Sequence, residues 1–137
     1  MTTQIDLLKK YGIPKRGHLG QHLLIDPNLQ LKVVEALDLK ANEPVLEIGP
    51  GTGVLTEELL KKAGRVIAVE KDRSVFEELQ NKFSGIKNLE LSNADILRYD
   101  VQASDFKLIA NIPYNISGAI FNKFLLAENR PQMMVVM

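Results

Sequence analysis

The residues best suited to chemistry follow the ends of predicted strands, and "NIPYNIS" at 111–117 is the clearest case. Asn111 offers a side-chain amide oxygen, Pro113 keeps the segment rigid, and Tyr114 adds an aromatic ring. An amide oxygen and a backbone carbonyl can hold the hydrogens of a nucleobase amine and leave its lone pair to attack. The ring can stack on an extruded base. The motif predicts methyl transfer to a base amine; a turn with a buried tyrosine is the alternative.

A glycine-rich loop, "EIGPGTG" at 47–53, follows one predicted strand and opens a helix. Gly49 and Gly51 let the backbone approach a ligand closely. Glu70 ends the next strand, twenty-one residues after Gly49. A carboxylate in that position can accept hydrogen bonds from both ribose hydroxyls of an adenosine cofactor. The loop and Glu70 therefore indicate a cofactor site, and a purely structural glycine turn is the less favoured alternative.

Three ligands suit such a loop. A P-loop requires a lysine after the last glycine, and Val54 and Leu55 stand there, so nucleoside triphosphate hydrolysis is rejected. A dinucleotide fingerprint requires glycine at the position of Val54, which weakens a nicotinamide cofactor without excluding it. S-adenosylmethionine carries the same adenosine but an amino acid instead of a pyrophosphate. It is the third candidate.

Asp95, in "NAD", ends the third predicted strand. Its carboxylate can accept a hydrogen bond from the exocyclic amine of a cofactor adenine. A lone aspartate in a loop more often caps a turn. The position of Asp95 between Glu70 and Asn111 in the series of strand ends favours the functional interpretation.

The elements that must position these residues alternate between apolar runs and amphipathic segments. Helices are predicted at 3–11, from Asp26 through Leu37, and at 54–63, 72–83 and 117–128. Strands are predicted at 44–49, 65–70, 89–95, 107–111 and 132–137. Ser74 with Glu77 is spaced as a capping box, and Ser117 can cap the last helix.

This alternation predicts an α/β, Rossmann-like fold with a doubly wound, mostly parallel sheet. Ligands of such sheets bind beyond the carboxyl ends of the strands. Gly49, Glu70, Asp95 and Asn111 all fall at such ends, so we expect one shared site. Residues 26–137 form the predicted core, and residues 1–25 form a basic N-terminal arm and cofactor-covering segment.

The composition excludes several classes of protein. The 137 residues carry no net charge and no cysteine, so a disulfide framework and a thiolate metal site are excluded. His18 and His22 lie four apart, but the glycines around them argue against a helix, and no metal site is expected. No leader and no membrane-length apolar run is recognised. We expect a cytoplasmic protein that does not contact membranes.

The motifs "HLGQHLLID", "EIGPGTGVLT", "VEKD", "NAD" and "NIPYNIS" together resemble those of the ribosomal RNA adenine dimethyltransferases, which include the KsgA and Erm enzymes. The resemblance implies S-adenosylmethionine as cofactor and N6,N6-dimethyladenosine in RNA as product. It implies that a segment with His22 and Leu24 covers the cofactor, and that Tyr114 stacks on the base. Gly49, Glu70, Asp95 and Asn111 match the family's cofactor residues.

Two departures from the family pattern stand out. The family usually has asparagine where this chain has His22, and its members continue well beyond Met137. We therefore expect an N-terminal portion that binds cofactor but does not methylate RNA usefully. The expected partner is small-subunit ribosomal RNA or its precursor particle, bound by a monomer. Erm-type large-subunit methylation, a nicotinamide-dependent oxidoreductase and a non-enzymatic binder are the alternatives.

Overall fold

The computed structural model describes residues 27–112 and 114–137, with the backbone alone for Pro27 and Tyr114. Helices alternate with strands over this part of the chain. In order, the elements are α1 Pro27–Ala36, β1 Pro44–Ile48, α2 Val54–Lys62, β2 Arg65–Glu70, α3 Arg73–Lys82, β3 Leu89–Asn93, β4 Lys107–Ala110, α4 Tyr114–Leu126 and β5 Met133–Val136.

The five strands form one sheet in the order β3-β2-β1-β4-β5, and every neighbouring pair is parallel. Ile48 of β1 lies opposite Val69 of β2 on one side and Ala110 of β4 on the other. The chain winds outward from β1 to β3 and then crosses to the other side at β4. This reversal is the switch point at which doubly wound sheets bind ligands. The predicted α/β class and parallel sheet are confirmed.

Each face of the sheet is covered by helices. On one face, Val34 of α1 and Leu59 of α2 pack against Val45 and Val66, all without solvent exposure. On the other face, α4 buries a second apolar cluster that contains Leu46, Leu108, Ile120, Phe106 and Phe124. Because side chains alternate along a strand, Val45 and Leu46 supply opposite faces. The result is a rigid sheet that fixes the strand ends relative to one another.

One predicted capping motif and one predicted helix start were wrong. The capping residue of α3 is Asp72, whose Oδ1 accepts hydrogen bonds from the backbone N–H groups of Ser74 at 2.8 Å and Val75 at 3.2 Å. Ser74 and Glu77 form no capping box, because the aspartate carboxylate already satisfies those donors. Ser117 lies inside α4, which begins at Tyr114. A proline just before Tyr114 in the sequence favours the earlier start.

The remaining boundaries agree with the prediction to within two residues, which is the usual variation at element ends. The predicted helix at 3–11 and the arm at 1–25 fall outside the described residues. Among the residues described, no helix is long and apolar enough to cross a membrane, and no group of three or more metal-ligating side chains is found.

Candidate functional site

The strand ends converge through backbone hydrogen bonds that continue one residue beyond the strands. Gly49 N–H donates to the carbonyl of Val69 at 3.0 Å, and Asn111 N–H donates to the carbonyl of Ile48 at 3.3 Å. Ala94 N–H donates to the carbonyl of Glu70 at 3.1 Å, immediately before Asp95. The structure therefore brings the ends of β1, β2, β3 and β4 to one edge of the sheet, as the sequence predicted.

Gly49 is fixed at this edge by its conformation and by its neighbour. Its φ angle of +68° lies in the left-handed region that side chains disfavour. A Cβ atom there would lie 2.9 Å from the backbone oxygen of Asn111. The backbone of the glycine loop thus packs directly against the backbone at the end of β4, with no room for a side chain between them. This contact places the two predicted motifs side by side.

Glu70 is almost fully buried, with 4% of its surface exposed. Its Oε1 accepts a hydrogen bond from Asp72 N–H at 2.9 Å, and its Oε2 accepts a longer one from Gly51 N–H at 3.4 Å. Burial raises the pKa of the Glu70 carboxyl, and these backbone donors oppose the change. Each carboxylate oxygen has a second lone pair. Glu70 can therefore hold the glycine loop and still accept hydrogen bonds from a ribose.

Asp95 lies at the edge of the site with about a third of its side chain exposed. Its Oδ1 accepts a hydrogen bond from Leu97 N–H at 3.0 Å, and its Oδ2 pairs with Lys71 Nζ at 3.4 Å. The Leu97 N–H, followed by the charge of Lys71, holds the pKa of the Asp95 carboxyl below its usual range. Asp95 is thus an ionised acceptor that also caps its own turn, so both interpretations of the sequence have a structural basis.

Asn111 directly follows β4 and is partly exposed. The next residue, Ile112, is buried and donates its N–H to the carbonyl of Met137 at 3.4 Å, which anchors the segment to the end of β5. Tyr114 opens α4, so the helix starts at the predicted base-binding motif. The predicted site residues His22, Leu24 and Pro113 lie outside the described residues, as does the side chain of Tyr114.

A buried pair beneath the glycine loop was missed by the sequence analysis. Thr56 Oγ1, in the first turn of α2, donates to Glu47 Oε2 at 2.6 Å, and both side chains are inaccessible to solvent. Glu47 Oε1 has no hydrogen-bond partner within the described part of the chain. Burial raises the pKa of Glu47 to about 7; Thr56 opposes this and the charge of Glu70 adds to it. The detectable signal was a charged residue within the apolar run "PVLEI".

The glycine loop is also supported from α3. Lys82 Nζ donates to the carbonyl of Thr52 at 3.0 Å and pairs with Glu57 at 2.8 Å. Within residues 27–112 and 114–137, no lysine or arginine forms an ion pair with Glu47 or Glu70. The site thus combines a fixed backbone loop with two buried acidic side chains that lack a cationic partner. Such a site suits a ligand with hydroxyl groups and positive charge.

Comparison with known proteins identifies the same family along nearly the whole chain. The family described as "Ribosomal RNA adenine dimethylase" matches residues 13–137. The chain is 44% identical, over 96% of its length, to ribosomal RNA small subunit methyltransferase A of Dehalococcoides mccartyi, of which it covers 47%. It is 48% identical, over 87% of its length, to a probable ribosomal RNA small subunit methyltransferase A of Methanopyrus kandleri, of which it covers 43%.

Solved structures show the same fold. The 23S rRNA methyltransferase ErmE is 36% identical with a TM-score of 0.76, over 83% of this chain and 47% of that one. A dimethyladenosine transferase from Plasmodium falciparum is 33% identical with a TM-score of 0.76, over 84% of this chain and 42% of that one. The fold is that of the S-adenosylmethionine-dependent methyltransferases.

The chain spans about half the length of the relatives it matches. Within that half, the family match includes both the glycine loop and the "NIPY" segment whose backbones meet at Gly49 and Asn111. The chain belongs to the ribosomal RNA adenine dimethylase family.

Proposed function

We propose that this chain binds S-adenosylmethionine, and that the full-length protein carrying it methylates N6 of adenosines in small-subunit ribosomal RNA. One observation carries the proposal: the glycine loop, Glu70 and Asn111 meet at the switch point of the sheet. Relatives named as small-subunit methyltransferases support the choice of RNA. We place the reaction in the cytoplasm and expect a monomer.

The electrostatics of the site favour this cofactor over a dinucleotide. S-adenosylmethionine carries a sulfonium and an ammonium group, whereas a dinucleotide carries a negatively charged pyrophosphate. Glu47 and Glu70 are buried without a described cationic partner, and burial raises the pKa of both carboxyls. A nearby positive charge favours the ionised form of such a group, so a cationic ligand would be stabilised beside them. Both cofactors contain the adenosine that Glu70 and Asp95 would bind, so the discrimination depends on the remainder of each molecule.

In the proposed reaction, the cofactor supplies an electrophilic methyl group. Asn111 Oδ1 and the backbone carbonyl of Ile112 or Pro113 accept hydrogen bonds from the target amine. These contacts orient the nitrogen lone pair toward the methyl group, and alignment accounts for much of the rate. The bound cofactor would donate the methyl group, with its S–C bond breaking as the N–C bond forms, and the N6 proton would be released to solvent. Tyr114 holds the base by stacking.

The remaining predicted residues bind the cofactor in this proposal. Glu70 accepts hydrogen bonds from the ribose hydroxyls, and Asp95 accepts one from the adenine amine. The backbone at Gly49 and Gly51 would hold the methionine portion. His22 and Leu24 would contribute further contacts to the cofactor; a contact through the backbone of His22 would tolerate the change from asparagine, whereas a contact through its side chain would alter the affinity.

Calorimetry with S-adenosylhomocysteine and with NAD tests the cofactor. We expect the former to bind and the latter not to bind. Glu70→Ala should weaken binding by about 1.5–3 kcal/mol, the range for hydrogen bonds to a charged group. Glu90→Ala is the matched control, because Glu90 lies on the neighbouring strand β3 and pairs with Arg65. Binding of NAD alone, or equal affinity in wild type and Glu70→Ala, would contradict the proposal.

The similarity to ErmE makes large-subunit RNA the second candidate substrate. Methyl-transfer assays of the full-length protein with separate small-subunit and large-subunit precursor RNAs distinguish the two. Asn111→Ala should reduce turnover more than Tyr114→Ala, and Tyr114→Phe should be mild, because stacking requires only the ring. If Tyr114→Phe proved as damaging as Tyr114→Ala, the stacking role would be wrong. Residues 1–137 alone should bind cofactor without comparable turnover.

A further inference from the structure

Lys123 lies in α4 and reaches across to the turn that begins at Asp95. Its Nζ donates to the backbone carbonyl of Ile96 at 2.6 Å and to that of Tyr99. The ammonium also lies 5.6 Å from the centre of the Phe124 ring. Burial lowers the pKa of Lys123, while the charges of Asp100 and Asp95 oppose that change. A lysine is thus held in a partly buried place where a neutral side chain would be easier to accommodate.

The turn that Lys123 contacts has few bonds of its own. Arg98 N–H donates to the carbonyl of Asp95 at 2.9 Å, and Tyr99 N–H donates to that of Ile96 at 3.3 Å. Leu97 N–H donates to the Asp95 side chain at 3.0 Å. A single turn fixes several dihedral angles for few hydrogen bonds and is unstable by itself. The ammonium of Lys123 supplies two further bonds, which hold this turn against α4.

We propose that Lys123 is a positioning residue that holds the turn at 95–99, and thereby the Asp95 carboxylate, in register with the glycine loop and Glu70. The inference rests on the proposed role of Asp95 as acceptor for the adenine amine. Lys123 stands on the helix that begins at Tyr114, so one element joins the target-base motif to the turn that recognises the cofactor base. The adenine preference of the site then depends on a residue that does not touch the cofactor.

The other end of the sheet provides a matched control. Lys107 Nζ donates to the carbonyl of Asp38 at 2.7 Å and pairs with Glu43 at 3.0 Å. It is a largely buried lysine with the same kind of bond to a loop carbonyl, but its loop lies away from the site. Replacement by methionine keeps most of the aliphatic side chain and removes the ammonium in both cases. If Lys123 merely stabilised the fold, the two variants would behave alike.

The test measures base preference with the purified protein. Calorimetry compares S-adenosylhomocysteine with its hypoxanthine analogue, in which a carbonyl oxygen replaces the adenine amine. Wild type should prefer adenine by about tenfold or more, because the lost bond involves a charged acceptor. Asp95→Ala and Lys123→Met should both lose most of this preference. Lys107→Met should lower the thermal midpoint and keep the preference.

The outcomes distinguish the positioning role of Lys123 from the proposed role of Asp95 as acceptor for the adenine amine. If Asp95→Ala loses the preference and Lys123→Met keeps it, the positioning role is overturned while the role of Asp95 stands. If Asp95→Ala keeps the preference, both are overturned. The double variant should lose no more preference than Asp95→Ala alone, since the two residues act through one bond. If Lys123→Met does not fold, Lys123→Gln, which retains an uncharged N–H donor group on a shorter side chain, should show a partial loss. An unchanged preference would overturn the inference.

Discussion

The two ends of the parallel sheet are packed alike but differ in whether their buried ionisable side chains have partners. Each end has a glycine whose missing Cβ admits a backbone oxygen: Gly49 at the carboxyl end, and Gly64 at the amino end, where a Cβ would lie 2.8 Å from the carbonyl oxygen of Ala41. Each end also buries an ionisable side chain. Lys107 at the amino end has two acceptors, whereas Glu47 at the carboxyl end has one oxygen without a described partner.

The two ends of the sheet therefore differ in what their charged groups could offer to a ligand. A groove at the amino end has polar walls, but Arg65 there donates to Gln102 and pairs with Glu90, and Asn129 donates to the carbonyl of Ala103. The charge of Arg65 in this groove is thus already compensated by Glu90. At the carboxyl end, Glu47 and Glu70 are buried without a described cation. Close packing is therefore common to both ends, and buried carboxyl groups without a described cationic partner distinguish the end that we propose as the site.

The largest expected effect comes from replacing the two glycines. Gly49→Ala should destabilise the protein by about 2–5 kcal/mol, because a left-handed φ costs about 1–2 and overpacking about 1–3. Gly64→Ala should cost about 1–3 kcal/mol, since only the overpacking applies. Cofactor affinity should fall at least about tenfold in Gly49→Ala and stay unchanged in Gly64→Ala. Urea unfolding and calorimetry measure the two quantities; equal affinity losses would remove the distinction between the ends.

The buried acid Glu47 should make stability depend on pH in a specific direction. Its pKa rises from an ordinary 4.5 to about 7 in the folded protein. Between these values the folded state holds a proton that the unfolded state has released, so stability falls as pH rises. The free energy of unfolding of wild type minus that of Glu47→Gln should therefore fall by about 2–3 kcal/mol between pH 5 and pH 8. Urea unfolding at several pH values measures this difference.

The control for this measurement is Glu43, which lies beside Lys107. The backbone N–H of Lys40, followed by Lys107, lowers the pKa of Glu43, so its contribution is lost only as pH falls below its ordinary value of 4.5. The difference between wild type and Glu43→Gln should stay constant from pH 5 to pH 8. The pKa of Glu70 is raised like that of Glu47. Because Glu70 is present in wild type and in both variants, its own titration contributes to both proteins of each comparison. A constant difference for Glu47→Gln would mean that its carboxyl is not buried as the structure shows.

The arrangement of elements was predictable because it depends on local patterns. Apolar runs followed by amphipathic segments gave the strands and helices, and alternation gave the parallel sheet. The meeting of Gly49, Glu70 and Asn111 followed from that topology alone, since parallel strands end at one edge. The capping box predicted for α3 was wrong because Asp72 and Ser74 are both good caps two positions apart, and local sequence does not decide between them.

The supporting contacts of the site were not predictable from the sequence. Thr56 and Glu47 lie nine positions apart, Lys123 and Ile96 twenty-seven, and Lys82 and Thr52 thirty. Two of these bonds end on backbone carbonyls, which every residue has, so no residue type reveals the partner. The roles of His22, Leu24, Pro113 and the Tyr114 ring stay predictions.

The smallest expected effect concerns one half-exposed ion pair at each end. Lys82 pairs with Glu57 and holds the carbonyl of Thr52 in the glycine loop, while Arg65 pairs with Glu90 and donates to the carbonyl of Gln102. Exposed pairs contribute little, so Lys82→Met and Arg65→Met should each change stability by no more than about 1 kcal/mol. Only Lys82→Met should weaken cofactor binding, by about two- to fivefold, corresponding to about 0.5–1 kcal/mol. The loss should shrink at high salt, because ions screen exposed charges in wild type as well. Calorimetry at low and high ionic strength measures it. An equal loss of cofactor affinity in Arg65→Met would show that charge at either end of the sheet influences binding. The contact of Lys82 with the glycine loop would then not explain the effect.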